Sequence, residues 1–319
     1  MKFKNKPILI IGKSPIALRH YDILKKKYTN EIFFLDKKKN ILKKNNNNYS
    51  IVKKLSNEFF FLVVICTPSI YHLSYLKKLC KKTDYLFVEN PFAHSFKLAN
   101  NFFKNIKKEK KLNICIGYNL KFLASLIKFK ELIQKKIFGE IFYVSCAVGK
   151  SLYLWRDSNI NFAASKKKMG GGCLLELSHE IDYLLWIFGD LKFINRYFNP
   201  KKRLGFDSDE NVFVNLETLS PNFRKIPINL VMDIIRCDFK RECEVVCEYG
   251  TIKIDLVTNL IYLKNEKKII KLKFIKNDLN SSYKKQWQHY LSLKKFNTNN
   301  NLSSALKVLK LVDQIKKND

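Results

Sequence analysis

The feature that most constrains this chain is an alternation in its first 118 residues. Strand-length apolar runs at residues 7–11, 32–35, 59–66, 85–88 and 112–116 are separated by amphipathic stretches near 15–27, 70–81 and 94–108. Strands that recur with helices between them cannot be joined by tight hairpins, so the pattern predicts a parallel sheet covered by helices. The lysine- and asparagine-rich stretch 37–49 reads as a solvated connection.

The first strand runs into Gly12-Lys13-Ser14-Pro15-Ile16-Ala17. A dinucleotide-binding fold asks for G-x-G-x-x-G/A at this place: one glycine for the turn, a second to admit the pyrophosphate, and a small residue where helix meets strand. Gly12 and Ala17 satisfy the first and third positions, and Ser14 stands at the second. The next strand ends in Asp36, near the ~20-residue offset of the acid that binds a ribose 2′-hydroxyl. Its bland alternative is an ordinary solvated loop acid. Lys37, Lys38 and Lys39 follow, so the expected cofactor is NAD, with NADP possible.

A chain of 319 residues exceeds one compact core, and the break in pattern gives two domains, residues 1–118 and 119–319. Apolar residues are 46% of the total, enough for burial, yet no run approaches the ~18 needed to span a bilayer. The apolar string 8–11 is too short for a signal-peptide core, so the expected location is cytoplasmic, without membrane contact. Of eight cysteines, Cys66, Cys115, Cys146 and Cys247 lie inside apolar strings and read as buried free thiols. Cys243 and Cys247 lack the paired spacing and histidines of a zinc site, so no metal is expected. The net charge of +32 comes from 60 basic residues, only seven of them arginine. Base readout and phosphate clamping favour arginine forks, and here lysine is spread along the chain, so no specific nucleic-acid partner is expected. A negatively charged substrate would benefit from the same field.

More specific strings follow. The chain contains Thr67-Pro68-Ser69-Ile70-Tyr71-His72, then Glu89-Asn90-Pro91, then Gly117-Tyr118-Asn119-Leu120-Lys121-Phe122. Further on comes Gly170-Gly171-Gly172-Cys173-Leu174-Leu175-Glu176-Leu177-Ser178-His179-Glu180-Ile181-Asp182-Tyr183. In order and spacing these resemble the TP-xxxH, E-K-P, YN-x-RF and GGG-xxx-D-xxx-H-xx-D segments of the glucose–fructose oxidoreductase and inositol dehydrogenase (Gfo/Idh/MocA) family. Residues 137–141 and 248–252 resemble the family's strand at the start of the second domain and its late G-T-I strand. The C-terminal Ala305, Leu306, Leu309, Val312 and Ile315 recur at helical spacing.

The resemblance implies a Rossmann domain followed by an α+β domain with an open, mainly antiparallel sheet, which often supplies a homo-oligomer interface (dimer or tetramer). It implies an NAD(P)-dependent oxidoreductase. Hydride would pass between nicotinamide and a secondary hydroxyl or keto group of a sugar, amino sugar, nucleotide sugar or cyclitol. Thr67, Pro68 and Glu89 would flank the nicotinamide ribose, and Tyr118 and Asn119 would line the domain junction.

Such a reaction needs a group that takes or gives the hydroxyl proton. His179 is the expected catalytic residue, since its intrinsic pKa lies nearest neutrality. On a helix over 174–188, Glu176 and Asp182 would flank it on one face, fixing its tautomer and stabilising its charged form. The three glycines would admit a ligand. Two departures from the family stand out. Glu176 replaces aspartate, with the histidine one residue early, and Asn90 replaces the lysine thought to bridge cofactor and substrate. Asn90 can hydrogen-bond a hydroxyl but cannot hold a proton near neutrality. Lys121 or Lys166 is the candidate substitute. Trp155 and Arg156, in a loop with Tyr153, would stack on a sugar ring and grip an anionic group. His20, His72, His94 and His289 receive no role. The alternative is a weakened or silent relative that binds a ligand or partner.

Overall fold

The computed structural model describes residues 6–35, 43–44, 47–48, 50–52, 58–106, 113–154, 163–223, 225–273, 280–292 and 302–317. By contacts the chain divides into two units, Met1–Tyr118 with Trp287–Leu306, and Asn119–Gln286 with Lys307–Asp319.

The first unit holds a six-stranded, all-parallel sheet of β1 (Ile8–Ile11), β2 (Ile32–Leu35), β3 (Ser50–Val52), β4 (Phe60–Ile65), β5 (Thr83–Val88) and β6 (Asn113–Ile116). The spatial order is β3-β2-β1-β4-β5-β6, with Ile8 opposite both Ile32 and Leu62. Every residue of β1 and β4 is buried, the expected state of parallel strands covered on both faces. A short Lys43–Lys44/Asn47–Asn48 ladder lies where the sequence predicts only a solvated connection, and β3 follows at Ser50–Val52, outside every run read as a strand. Elements of two or three residues are too short to stand out in a hydrophobicity pattern. The order reverses between β1 and β4, and a doubly wound sheet offers its ligand crevice at the carboxyl ends of such strands.

Helix α1 (Pro15–Lys27) carries proline in its first turn and Lys25, Lys26 and Lys27 in its last, both matched to helix-end chemistry. Its core stripe is Ala17, His20, Tyr21, Ile23 and Leu24. Two further helices are α2 (His72–Leu79), which starts later than its sequence pattern because a 3-10 turn fills Ser69–Tyr71, and α3 (Phe96–Ile106).

The second unit contains α4 (Ala124–Gln134), α5 (Cys173–Glu176), α6 (His179–Phe188) and an eight-stranded sheet. Its strands are β7 (Ile141–Gly149), β8 (Leu191–Tyr197), β9 (Asn211–Thr218), β10 (Pro227–Asp233), β11 (Lys240–Cys247), β12 (Gly250–Asp255), β13 (Leu260–Lys264) and β14 (Ile269–Lys273). The order is β8-β9-β10-β7-β11-β12-β13-β14, and only β10 and β7 run parallel. Burial alternates along β9 through Val212, Val214 and Leu216, and along β10 through Ile228, Leu230 and Met232. A period of two with one covered face is the signature of an antiparallel sheet under a helical layer. Helices α4 and α6 supply that layer, α6 burying Ile181, Tyr183, Leu184, Ile187 and Phe188.

Two more helices, α7 (Ser281–Ser292) and α8 (Leu302–Lys317), complete the chain, and Ala305, Leu306, Leu309, Val312 and Ile315 are all buried. No helix among the described residues is long and apolar enough to cross a membrane. Cys66, Cys115, Cys146 and Cys247 are free and buried.

Candidate active site

In the first unit, Gly12 sits at φ +101°, and a Cβ there would stand 2.9 Å from the Cys66 carbonyl oxygen. Only glycine makes this turn. Ser14 is extended at φ −66° and ψ 162°, and its Oγ accepts from the Ala17 amide at 3.4 Å. The serine at the second fingerprint position therefore caps α1, leaving the turn intact. Ala17 is fully buried where helix meets strand. Next to Gly12, the Thr67 hydroxyl is buried without a hydrogen-bond partner among the described residues, while Pro68 is exposed. A tight glycine turn, a capped helix N-terminus and an unsatisfied hydroxyl at the reversal of strand order fit a dinucleotide. Asp36 lies outside the described residues.

The turn after β5 joins Glu89 and Asn90, both singled out in the sequence, to a histidine that was given no role there. Glu89 is buried, and its Oε1 is 2.6 Å from His20 Nε2. Its Oε2 accepts from the Asn90 amide and from Asn90 Nδ2, each at 3.3 Å. Asn90 Nδ2 also donates to the Gly117 carbonyl at 2.8 Å. A Cβ at Gly117 would come within 2.7 Å of Glu89 Oε2, so the glycine of the Gly117-Tyr118-Asn119 string makes room for this carboxylate. His72 lies between two carbonyls, with Nδ1 3.1 Å from Pro91 O and Nε2 2.7 Å from Thr67 O. Burial lowers its pKa against those two bonds. His94 pairs with the Ser69 backbone, and burial lowers its pKa too. The histidines His20, His72 and His94, given no role from sequence, brace the two turns predicted to flank the nicotinamide. The signal for His20 was its place three residues after Ala17, on the buried stripe of α1.

In the second unit the single helix expected over 174–188 is two helices, broken at Leu177–Ser178. Glu176 ends α5 and His179 begins α6, so the two do not share a helix face. The glycines also differ from expectation. Gly172 stands at φ +109° with its Cβ position filled by the Asp209 carboxylate, and Gly171 is pressed against the carbonyls of Ala163 and Ala164. Asp209 accepts from the Leu174 amide at 2.9 Å and from Cys173 Sγ at 3.2 Å. These glycines serve α5 and its capping aspartate; the space beside them is protein. Gly172→Ala is expected to cost about 1–3 kcal/mol from backbone strain alone, read by chemical denaturation.

Lys121, in the 3-10 turn Leu120–Phe122, donates to Asp182 Oδ1 at 2.9 Å, with side chains only 2% and 4% exposed. Burial raises the Asp182 pKa to about 6 against the pull of Lys121. One residue turn away, Glu180 pairs with Arg241 Nε at 2.9 Å, burial raising the carboxyl against the guanidinium. His179 lies among these charges. Burial, then Arg241 and Lys121, lower its pKa to about 3. Sequence reasoning expects flanking carboxylates to favour the imidazolium; Asp182 is committed to Lys121, and the cations prevail. At neutral pH His179 is a neutral imidazole, with one ring nitrogen able to accept a hydrogen bond, near the Lys121 ammonium. Tyr118 and Asn119 are buried, and Asn119 Nδ2 donates to Ser282 Oγ at 2.8 Å. Lys166 caps a 3-10 turn, Lys167–Met169, while Trp155 and Arg156 fall outside the described residues.

The profile of the family described as "Oxidoreductase family, C-terminal alpha/beta domain" matches residues 130–318. Comparison with curated proteins gives no match. Among solved structures, a 3-ketoreductase from Actinomadura kijaniata in complex with NADP and TDP-benzene is similar over 98% of this chain and 97% of its own, with 13% identity and a TM-score of 0.80. A levoglucosan dehydrogenase in complex with NADH and levoglucosan is similar over 98% and 96%, with 12% identity and a TM-score of 0.77. The super-repressor mutant of Gal80p from Saccharomyces cerevisiae is similar over 98% and 95%, with 16% identity and a TM-score of 0.78.

Proposed function

Since this chain belongs to the Gfo/Idh/MocA family of oxidoreductases, we propose that it transfers a hydride between a nicotinamide dinucleotide and a CH–OH or keto group of a sugar-like substrate. The observation that carries the reading is the Gly12–Ser14–Ala17 turn at the reversal of strand order, beside a Thr67 hydroxyl with no hydrogen-bond partner among the described residues. Gly12, Ser14 and Ala17 would hold the pyrophosphate, Asp36 a ribose, and Thr67, Pro68 and Glu89 the nicotinamide end. The bound dinucleotide supplies the hydride acceptor or donor.

Proton handling falls to the second unit. His179, neutral at working pH, accepts the substrate hydroxyl proton's hydrogen bond and orients it. Lys121 supplies the positive charge that Asn90 cannot, favouring negative charge on the reacting oxygen. Asp182 holds Lys121 in place, and Glu176 stays a candidate beside His179. Tyr118, Asn119, Trp155 and Arg156 remain substrate-binding candidates, and the net charge of +32 favours a substrate that carries phosphate, such as a nucleotide sugar.

Titration with NADH and NADPH, followed by energy transfer from aromatic side chains to nicotinamide, is expected to give saturable binding with NADH preferred. Folded protein that binds neither would overturn the proposal. A second reading, a relative that binds the dinucleotide without turnover, draws on Asn90 in place of the lysine. The two part on whether bound NADH is oxidised when keto-sugars are added.

A further inference from the structure

The hydrogen bonds around Glu89 have a direction, and one residue sets it. Trp287, on α7 and fully buried in the first unit, places its indole Nε1 3.0 Å from His20 Nδ1. An indole N–H can only donate. His20 Nδ1 therefore accepts, and the ring's single proton sits on Nε2, where it meets Glu89 Oε1 at 2.6 Å. The His20 and Trp287 rings stand at 90°, as an edge-on bond of this kind requires. Glu89 then accepts at both oxygens, the second taking the Asn90 amide and side-chain nitrogens. Asn90 Nδ2 donates to Glu89 Oε2 and to the Gly117 carbonyl.

We propose that Trp287 and His20 are positioning residues: Trp287 fixes the His20 proton on Nε2, and His20 in turn holds the Glu89 carboxylate as an acceptor in the turn that follows β5. An effect on NADH binding rests on the proposed function, since the turn is predicted to face the nicotinamide end of the dinucleotide. The proton assignment does not. A neutral histidine with one fixed tautomer is needed here because either alternative, Nδ1–H or the imidazolium, would set two donors face to face at Trp287.

Two measurements test this. In protein labelled with ¹³C- and ¹⁵N-histidine, His20 is expected as the neutral Nε2–H tautomer, as its contacts with Trp287 and Glu89 require. Trp287→Phe is expected to give a mixture of tautomers. An Nδ1–H tautomer or an imidazolium in the parent protein overturns the assignment, whether or not any cofactor binds. The second measurement uses NADH itself as the probe. Glutamine can accept from Trp287 through Oε1 and donate to Glu89 through Nε2, and leucine of similar size can do neither. His20→Gln is expected to bind NADH within about threefold of the parent and His20→Leu at least tenfold more weakly, since a carboxylate bond is lost. Equal affinities in the two variants overturn the positioning role. Absence of NADH binding in the parent would sink the proposed function, leaving the tautomer to decide the proton assignment.

Discussion

Lys121→Met is expected to lower turnover by about two to three orders of magnitude, the usual effect of removing a preorganised electrostatic donor. It is also expected to destabilise the fold by about 3–5 kcal/mol, because it leaves a buried charge without its partner. Asp182 is the stranded group, at 4% side-chain exposure and with its carboxyl already pushed up to about 6 while the ammonium is present. The two effects separate in a double variant. Lys121→Met with Asp182→Leu removes both charges and fills the space with apolar atoms, an exchange that is often neutral or stabilising for buried pairs. Urea denaturation should therefore recover most of the lost stability, while turnover stays low. Recovery of turnover along with stability would make the pair a structural strut and remove Lys121 from the chemistry.

The acid limb of stability is expected to carry the signature of His179. Its pKa lies at about 3 in the folded chain against an ordinary 6.5, so the folded state disfavours the proton. A group depressed in this way contributes stability that is full above about 6.5 and is lost as the pH falls towards 3. His179→Gln cannot take up the proton, so its stability relative to the parent should rise as pH is lowered through that window. For one proton the difference grows by about 1.4 kcal/mol per pH unit. Asp182 works in the opposite sense. Its pKa is raised from 3.8 to about 6, so its contribution is full below 3.8 and is lost as the pH rises through 6. The two slopes oppose one another between about pH 4 and 6, and the single variants His179→Gln and Asp182→Asn separate them. A pH profile unchanged by His179→Gln would mean that the imidazole is solvated and chargeable, contrary to its burial beside Arg241 and Lys121.

A neutral His179 also changes the division of labour at the site. An imidazole with a very low pKa is a good hydrogen-bond acceptor and a poor store for a proton. On the proposed function, charge stabilisation would fall to Lys121, which is held by Asp182 in a dry environment where a charge acts more strongly than in water.

Local signals made much of the fold legible. Apolar runs at residues 8–11 and 60–65 could be nothing but buried parallel strands once helices were seen between them, and alternation along 211–218 had to give one covered face. Gly12 and Ala17 were readable for the same reason, since backbone turns and close helix–strand packing exclude most residue types at those positions. Strand β3 was not legible, because it is only three residues long and its pairing with β2 depends on the sheet already being there.

The sequence by itself determined the order of elements, the nucleotide-type turn and the identity of the groups available for chemistry. Tertiary structure alone decided what those groups are. Cys173 and Glu176 look continuous with His179 in one dimension, yet a break at Leu177–Ser178 puts them on separate helices. Asp182 looks like a partner for His179 and is Lys121's instead. His20 looks like core filling until Trp287, 267 residues away, fixes its proton. Protonation and hydrogen-bond direction depend on burial and on neighbours within a few ångströms, and separation along the chain carries no information about either.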